Sequence, residues 1–347
     1  MKAAVLYAAR DMRVESVPWP NAGDLGPREC LVRIHSVGVC GSDVHYYEHG
    51  RIGKFVVEQP LILGHECSGT VEAVGSDVSR VRVGERVAIE PGIPCRRCAH
   101  CRSGRYNLCP EVVFMATPPV HGSLCELVVH PDDFLYPLPE GVSFEEGAMV
   151  EPLAVGVHAA RRAEIEPGDS VVILGCGAIG LLALQAASAA GATRIIAFDQ
   201  VENRLALAAA LGAEAIGSRA ADPVAAVAEA TGGRGADVVI ETAGAVATTQ
   251  AAVRMARVGG RVCLVGLPPE SVFPLDVMSI LNRELDVTSV FRYANCFGRC
   301  LDLVASGKVS LAPLVTGRYP LESVVDAFEF ASTRKAECVK IVIQVAG

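Results

Sequence analysis

Residues 170–193 constrain the fold more than any other part of the chain, because they carry no charge over more than twenty residues. An apolar run of that length could span a membrane. However, four glycines and two polar side chains interrupt it. An apolar stretch at 171–174 is followed by a glycine-rich turn and then by a helix-forming run at 179–190. The segment is therefore predicted to be a buried strand, a turn and a helix rather than a membrane span.

The turn in this segment is Gly175-Cys176-Gly177-Ala178-Ile179-Gly180, a G-x-G-x-x-G pattern. The first glycine permits a sharp turn, the second lets the backbone approach a pyrophosphate, and the third allows the helix to pack closely on the strand. The free N–H groups at the start of the helix would face the phosphates. The alternative is a glycine turn that binds no nucleotide.

Asp199 ends the next predicted strand, where its carboxylate can accept hydrogen bonds from the ribose hydroxyls of NAD. If no nucleotide binds, Asp199 would be a helix cap. Arg204 lies in the following helix, where it would cover the adenine or face solvent. The predicted NAD-binding residues are Gly175, Gly177, Ala178, Ile179, Gly180, Asp199 and Arg204.

From residue 170 onward, predicted strands alternate with helices rich in Ala and Leu, a pattern typical of a parallel sheet with helices on both faces. The first 150 residues indicate instead a β-rich domain with Gly and Pro turns, and a helix is expected to open at Glu151-Pro152 and to run to residue 162. Strands are predicted at 30–39, 69–74, 81–90, 124–129, 171–174, 195–198, 238–240 and 261–265, and further helices at 179–190, 204–211, 223–230 and 246–256.

A run of four closely spaced cysteines predicts a metal site. The spacing Cys95-x2-Cys98-x2-Cys101-x7-Cys109 lets backbone turns point several sulfurs at one centre. Four thiolates complete a tetrahedral zinc and leave no position for a substrate, so the site would be structural. An iron–sulfur cluster is the main alternative, since cysteines two residues apart also suit one.

The remaining Cys and His residues suggest a second, open metal site. Cys40 and Ser42 lie on one glycine-flexed turn, His65 and Glu66 are adjacent, and Glu151 stands at the domain junction. One cysteine, one histidine and one carboxylate leave a fourth position open, the pattern of a catalytic zinc. From spacing alone, a buried Cys40 and an ion-paired Glu66 would be the default interpretation.

Composition excludes other classes of function. A net charge of −8 and a pI near 5.6 argue against binding to nucleic acid or to a membrane surface. The first residues lack the apolar core of a signal peptide. We therefore expect a cytoplasmic protein whose 13 cysteines are reduced and serve metal binding or catalysis rather than disulfides.

Together these motifs resemble the zinc-dependent medium-chain dehydrogenases, and within them the sorbitol/xylitol (polyol) dehydrogenase group. The similarity spans nearly the whole chain. It is carried, in order, by VCGSDVHY (39–46), GRIG (50–53), LGHECSG (63–69), RVAIEPG (86–92), GRYNL (104–108), ATPP (116–119), FEEGA (144–148), EPL (151–153) and VFRY (290–293).

The resemblance implies an α/β protein with a Rossmann dinucleotide-binding domain at 154–292. It further implies a β-rich GroES-like catalytic domain, formed by residues 1–153 and 293–347 with a structural zinc lobe at about 90–112. Two zinc ions per chain are expected. The structural zinc would bind Cys95, Cys98, Cys101 and Cys109, and the catalytic zinc would bind Cys40, His65 and Glu66, with either Glu66 or Glu151 as the first carboxylate ligand.

The resemblance also implies NAD-dependent oxidation of a polyol at a secondary hydroxyl to the ketose, by a homotetramer. The catalytic residues would be Ser42, Glu151 and His45: the proton would leave through Ser42 or a water held by Glu151, with His45 as a later relay. The substrate pocket would contain Tyr46, Phe114, Thr117, Arg292 and Tyr293. Alternatives are a zinc dehydrogenase for threonine or a simple alcohol, and an NAD-binding protein that has lost catalysis.

Overall fold

The computed structural model describes residues 1–217, 222–270 and 272–345. Its strands in chain order are β1 (Lys2–Ala8), β2 (Asp11–Ser16), β3 (Glu29–Val39), β4 (Arg51–Ile52), β5 (Phe55–Val56), β6 (Leu61–Ile62), β7 (Glu66–Val74), β8 (Arg86–Ile89), β9 (Gly92–Ile93), β10 (Val113–Phe114), β11 (Leu127–Pro131), β12 (Leu135–Pro137), β13 (Ser170–Leu174), β14 (Arg194–Asp199), β15 (Glu214–Gly217), β16 (Ala236–Glu241), β17 (Ala256–Leu264), β18 (Asp286–Ser289), β19 (Val315–Pro320) and β20 (Lys340–Gln344).

The α-helices are α1 (Gly41–His49), α2 (Ala99–Arg102), α3 (Phe144–Arg162), α4 (Ala178–Ala190), α5 (Glu202–Ala210), α6 (Pro223–Ala230), α7 (Val246–Met255), α8 (Val277–Asn282), α9 (Phe297–Ala305) and α10 (Val324–Thr333). Short 3₁₀ turns cover Ala22–Asp24, Tyr106–Leu108, Asp132–Phe134, Ala312–Leu314 and Leu321–Ser323. Among the described residues, no helix combines the length and the apolar character that crossing a membrane would require.

The chain divides into two compact units. The first contains Met1–Glu151, Phe297–Ala305 and Leu311–Gly347, and the second contains Pro152–Cys296 and Ser306–Ser310. The two main boundaries therefore lie after residues 151 and 296. The boundaries that the family resemblance predicted were after residues 153 and 292.

The first unit is built on a β-sheet to which both ends of the chain contribute. Its order is β12-β8-β7-β3-β20-β19, and β11 also pairs with β3. Strand β20 lies antiparallel to β3, with Ile341 opposite Val39, so the C-terminal segment returns to the N-terminal half. Buried side chains of α10, among them Val324 and Phe328, join the same core as the N-terminal strands.

The second unit is a parallel sheet of order β15-β14-β13-β16-β17-β18, in which each neighbouring pair is parallel. The central strands β13 and β16 are buried along their whole length, as expected where helices cover both faces. This sheet confirms the predicted α/β class, and β13 followed by α4 confirms the strand, turn and helix predicted within residues 170–193.

Several predicted elements differ in extent from the structure; the strands predicted at 69–74 and 261–265, for example, begin at Glu66 and Ala256. Three of the differences have a clear local cause. The strand predicted at 81–90 begins only at Arg86, because Gly84 (φ 87°) turns the chain just before it. The strand predicted at 124–129 begins at Leu127, because Leu124 bonds elsewhere: its N–H donates to the Leu63 carbonyl at 2.9 Å. A turn glycine in the first case and a hydrogen bond to another segment in the second therefore override the local sequence preference.

The third difference concerns the start of a helix. The prediction that this helix begins at Glu151-Pro152 is wrong. Helix α3 begins at Phe144 and contains Pro152 in its interior. Ser143 and Glu146 cap it reciprocally: the Ser143 N–H donates to the Glu146 carboxylate at 2.9 Å, and the Glu146 N–H donates to the Ser143 hydroxyl at 3.2 Å. This capping box fixes the start of the helix and outweighs the helix-breaking tendency of proline.

Candidate metal and nucleotide sites

The predicted ligands Cys40, His65 and Glu66 come together in the first unit. Their ligand atoms all lie within 4.8 Å of one another. Cys40 follows β3 and is the N-cap of α1, while Glu66 starts β7, the neighbour of β3, opposite Gly38. A Cβ at Gly38 would lie 2.1 Å from the Glu66 carboxylate, so this register requires glycine there.

Asp43 organises this group, although the sequence analysis gave it no role. Its buried carboxylate accepts hydrogen bonds from the N–H groups of Cys40 and Gly64, both at 3.2 Å, and lies 3.4 Å from Nδ1 of His65. Burial lowers the pKa of His65, but the negative charges of Asp43 and Cys40 outweigh burial and hold that pKa well above its usual value. A carboxylate on Nδ1 orients a histidine so that Nε2 serves the metal.

Lys340 is a second residue that the sequence analysis missed. Its buried ammonium lies 2.8 Å from both carboxylate oxygens of Glu66 and donates to the Val39 carbonyl at 3.2 Å. Burial lowers the pKa of Lys340, but the charges of Glu66 and Cys40 outweigh burial and raise it. The ion pair that a spacing argument alone favours for Glu66 is thus present beside the candidate metal ligands.

The charge of this buried group fits a divalent cation. We count the charges as they would be around a bound metal, with Cys40 as a thiolate and His65 as a neutral imidazole, since a metal ligand must be deprotonated. Asp43 and Glu66 count as carboxylates and Lys340 as an ammonium. Two negative charges then remain uncompensated in a buried environment, where an unpaired charge is costly. A zinc ion would balance them, so these residues fit the catalytic zinc that the sequence predicts.

The other predicted catalytic residues are placed differently. Glu151 is buried in α3 and does not belong to the group of ligand atoms around Cys40, but its charge raises the pKa of Lys340. Ser42 is half-buried in the first turn of α1, and His45 is exposed one turn later. The proton route through Ser42, Glu151 and His45 therefore stays a prediction.

Three of the predicted substrate residues belong to the first unit. Tyr46 and Phe114 are buried, and the Phe114 ring centroid lies 5.6 Å from that of His65. Thr117 is half-buried, with its N–H donating to the Phe114 carbonyl at 3.2 Å. Arg292 and Tyr293 belong to the second unit, where Tyr293 is buried and the Arg292 guanidinium lies 4.9 Å from the Phe291 ring centroid.

The four-cysteine lobe gathers its sulfurs as predicted. Cys95, Cys98, Cys101 and Cys109 have sulfurs that all lie within 4.8 Å of one another. The Cys98–Cys101 and Cys95–Cys101 sulfur separations are 3.4 and 3.9 Å, close to the edge of about 3.8 Å of a tetrahedron with ~2.3 Å Zn–S bonds. Backbone N–H groups of Arg97 and Cys98 lower the pKa of Cys95 to about 6, as suits a thiolate ligand.

The separations between the cysteine sulfurs also decide whether the lobe could hold an iron–sulfur cluster. A cluster of several irons places metal and sulfide between its cysteines and holds their sulfurs farther apart than this. The lobe is therefore the size of a site for one tetrahedral metal ion, and the cluster expectation does not fit it.

The glycine turn of the second unit has the three features that dinucleotide binding needs. Gly175 has φ 96°, a left-handed conformation that favours glycine. Gly177 is the N-cap of α4, and a Cβ there would meet nothing within 4 Å, so space is open beside the helix start. A Cβ at Gly180 would lie 1.8 Å from the Gly175 carbonyl, because the helix packs directly on the turn. These residues fit a bound pyrophosphate.

Asp199 lies at the end of β14 beside this turn. Its carboxylate accepts hydrogen bonds from the N–H groups of Cys176 at 2.6 Å and Val201 at 2.8 Å. The Arg204 guanidinium lies 3.9 Å from the same carboxylate, and its side chain is only 22% exposed. Arg204 is thus turned toward Asp199. Of the two positions predicted from the sequence, covering the adenine or facing solvent, the structure does not show the second.

Comparison with known proteins extends over both units. Residues 26–140 match the family model of the alcohol dehydrogenase GroES-like domain, and residues 178–306 match that of the zinc-binding dehydrogenases. Sorbitol dehydrogenase of Bacillus subtilis is 45% identical over 99% of this chain and 97% of its own length.

Solved structures agree with these matches. An Escherichia coli dehydrogenase of unknown specificity has a TM-score of 0.95 at 40% identity, covering 100% of this chain and 99% of its own. The 2R,3R-butanediol dehydrogenase of Bacillus subtilis has a TM-score of 0.91 at 31% identity, covering 99% of both chains. The similarity therefore includes nearly the full length of each relative, not one domain alone.

Proposed function

This chain belongs to the zinc-dependent medium-chain dehydrogenases, and we propose that it oxidises a polyol such as sorbitol or xylitol at a secondary hydroxyl to the ketose, with NAD as hydride acceptor. The observation that carries the proposal is the nearly full-length 45% identity to a sorbitol dehydrogenase, together with an intact Cys40, His65 and Glu66 group. That intact group also argues against a protein that has lost catalysis.

When bound, zinc supplies Lewis-acid stabilisation of the substrate oxygen, and NAD accepts the hydride. The residues of this chain hold and orient the reactants. Asp43 fixes the ring of His65, and Lys340 fixes the carboxylate of Glu66. Ser42, or a water held by Glu151, takes the hydroxyl proton, and His45 passes it toward solvent. Tyr46, Phe114, Thr117, Arg292 and Tyr293 contact the polyol.

A substrate panel tests this function. The purified enzyme should reduce NAD with sorbitol or xylitol, whereas ethanol and threonine should be very poor substrates. A site built to hydrogen-bond several hydroxyls rejects analogues that lack them by roughly 10⁴-fold or more. Butane-2,3-diol belongs in the panel because of the structural similarity to a butanediol dehydrogenase. A kcat/KM for ethanol equal to that for either polyol would refute the proposal.

We also propose that the protein is a homo-oligomer, a tetramer as in the polyol dehydrogenases that it resembles. Supporting this, β18 pairs only with β17 among the described strands and forms an open edge of the parallel sheet. Large apolar side chains are exposed on this strand, at Val287, and on the preceding helix α8, at Val277, Met278 and Leu281. A second copy could pair with this edge. Val287→Lys should then lower the mass measured by light scattering, whereas Val83→Lys, at an exposed position of the first unit, should not.

A cytoplasmic location is likewise proposed. All 13 cysteines lie in the described part of the chain, and none of them forms a disulfide there. Cysteines in this number without a disulfide suit a reducing compartment. Cell fractionation with an antibody to the protein would test the location.

A further inference from the structure

His45 and His49 form a pair on the surface of α1 that the proposed reaction does not account for. Both are exposed, and their ring centroids lie 4.5 Å apart at an interplanar angle of 66°. Side chains four residues apart are neighbours on one face of a helix. With Glu48 they form the pattern H-x-x-E-H, in which two histidines of one helix bind a single metal ion.

The surroundings of this pair favour a cation. The Glu48 carboxylate lies 3.7 Å from Nε2 of His49 and is held in place by the Ser332 hydroxyl at 2.5 Å. Helix α1 ends at His49, so the negative end of the helix dipole lies beside the rings. Two positive charges oppose cation binding: Lys335 lies 3.6 Å from Glu48, and the Arg10 guanidinium donates to the Ser332 hydroxyl at 3.2 Å.

The protonation state is also suitable. Partial burial lowers the pKa of His45, and the neighbouring charges of His49 and Lys335 lower it further, while Glu48 opposes the shift. The lowered pKa favours a neutral ring at His45 near neutral pH. Neutral imidazole is the form that ligates a metal.

We propose that His45 and His49 chelate one divalent transition-metal ion, such as Ni²⁺, Cu²⁺ or excess Zn²⁺, at a third site distinct from the two zinc sites of the family. Imidazole ligands select these metals over Mg²⁺ or Ca²⁺. With only two histidines and a nearby carboxylate the site is weak, so it fills only after the two zinc sites are occupied.

Occupation of this site would affect catalysis, a consequence that rests on the proposed function. His45 is the proposed proton relay, and a metal held between His45 and His49 would take the lone pair that the relay uses. Excess Zn²⁺ should therefore inhibit polyol oxidation reversibly, and the inhibition should disappear when His49 is removed.

The binding test uses zinc-loaded protein without an affinity tag. Calorimetric titration with Ni²⁺ should show one further equivalent, and Ni²⁺-charged resin should retain the protein. His49→Ala should weaken this binding by roughly a hundredfold, because the chelate is lost. His100→Ala is the matched control, since His100 is exposed on α2 without a histidine four residues away. Equal Ni²⁺ affinity of the wild type and His49→Ala would overturn the proposed site.

The activity test separates the site from the function. Micromolar Zn²⁺ should slow polyol oxidation by the wild type and not by His49→Ala, whose basal activity should be unchanged. If the wild type oxidises polyols and binds Ni²⁺ but resists excess Zn²⁺, the inhibitory role is overturned. If neither protein oxidises a polyol, the proposed function fails, while the calorimetric result still decides the metal site.

Discussion

The Lys340 ammonium lies 2.8 Å from both carboxylate oxygens of Glu66, and the two side chains are only 3% and 1% exposed. These residues are separated by 274 positions in the chain, and the pairing of β20 with β3 and of β3 with β7 brings them together. A charge from the C-terminal strand thus balances a candidate metal ligand from the N-terminal half.

Replacing Lys340 should destabilise the protein strongly. Lys340→Met would leave Glu66 buried without its counter-charge, and breaking a buried pair from one side costs about 3–5 kcal/mol. Urea unfolding of the metal-free protein measures this cost. Lys340→Arg should retain most of the stability, and Lys335→Met, at an exposed position, should be close to wild type. Equal stability of the two Met variants would show that the ion pair contributes nothing.

Asp43 should control how firmly the catalytic zinc is held. Asp43→Asn keeps the shape of the side chain but removes the charge beside His65, and such outer partners typically change metal affinity by about 10- to 100-fold. The rate of zinc transfer to a chelator, followed with a metal-sensitive dye, should rise accordingly. Asp24→Asn, at an exposed position, is the control. Zinc transfer at the wild-type rate would contradict the role assigned to Asp43.

The two metal sites should be separable by mutation. Elemental analysis of the wild type should give two zinc ions per chain. Cys101→Ser should lose one of them together with stability, because a closed zinc site contributes directly to folding. Cys40→Ser should lose the other zinc and nearly all activity while the lobe remains filled. Full zinc content and full activity of Cys40→Ser would refute the open-site assignment.

Asp199 should select NAD over NADP. A hydrogen bond to a charged group contributes about 1.5–3 kcal/mol, so Asp199→Ala should weaken NAD by roughly ten- to a hundred-fold. The variant should also use NADP better, because the carboxylate that repels the 2′-phosphate is gone. In the wild type Arg204 lies 3.9 Å from Asp199, and in the variant it can pair with the 2′-phosphate instead. Comparing kcat/KM for both cofactors measures this effect. Adding Arg204→Ala should reverse the gain with NADP, and an unchanged cofactor ratio in Asp199→Ala would show that another residue selects.

Local sequence patterns were sufficient for four of the six strands of the second unit, β15 and β18 being missed, and for grouping the four cysteines of the lobe. Alternating apolar runs and helix-forming runs specify a parallel sheet, and cysteines at short spacing specify a tetrahedral cluster, because both depend on neighbours in the chain. Cys40, His65 and Glu66 are too far apart in the sequence for a local pattern to group them, so the family resemblance was needed.

The residues that the sequence analysis missed depend on long-range packing. No local pattern pairs Lys340 with Glu66, since only the strand register does so. Asp43 accepts a hydrogen bond from the N–H of the N-cap Cys40, but Cys40 and Asp43 are not the Ser/Thr and Glu/Gln pair by which a capping box is identified in a sequence. The start of α3 did carry that signal in Ser143 and Glu146, and it was missed because more weight was given to Pro152.

Glu90 should make the stability of the protein depend on pH. Its buried carboxylate accepts hydrogen bonds from the hydroxyls of Tyr106 at 2.6 Å and Tyr136 at 2.9 Å. Tyr106 lies between the third and fourth cysteines of the lobe, so this carboxylate ties the lobe to β12. Burial raises the pKa of Glu90 to about 7, and the charge of Glu151 adds to the shift, although the two tyrosine hydrogen bonds oppose it.

Because this pKa is raised on folding, the folded state binds the proton more tightly than the unfolded state does. The resulting stabilisation is fully present below the unfolded pKa of about 4.5 and is lost as the pH rises through about 7. Between pH 5 and pH 8 the loss amounts to roughly 2–3 kcal/mol. Glu90→Gln cannot titrate, so the free energy of unfolding of the wild type minus that of the variant should fall by this amount over the same range. Urea unfolding at fixed zinc concentration measures the difference, with Glu58→Gln, at an exposed position, as the control. A difference that stays constant from pH 5 to pH 8 would show that Glu90 is ionised throughout and that its two tyrosine partners fully offset its burial.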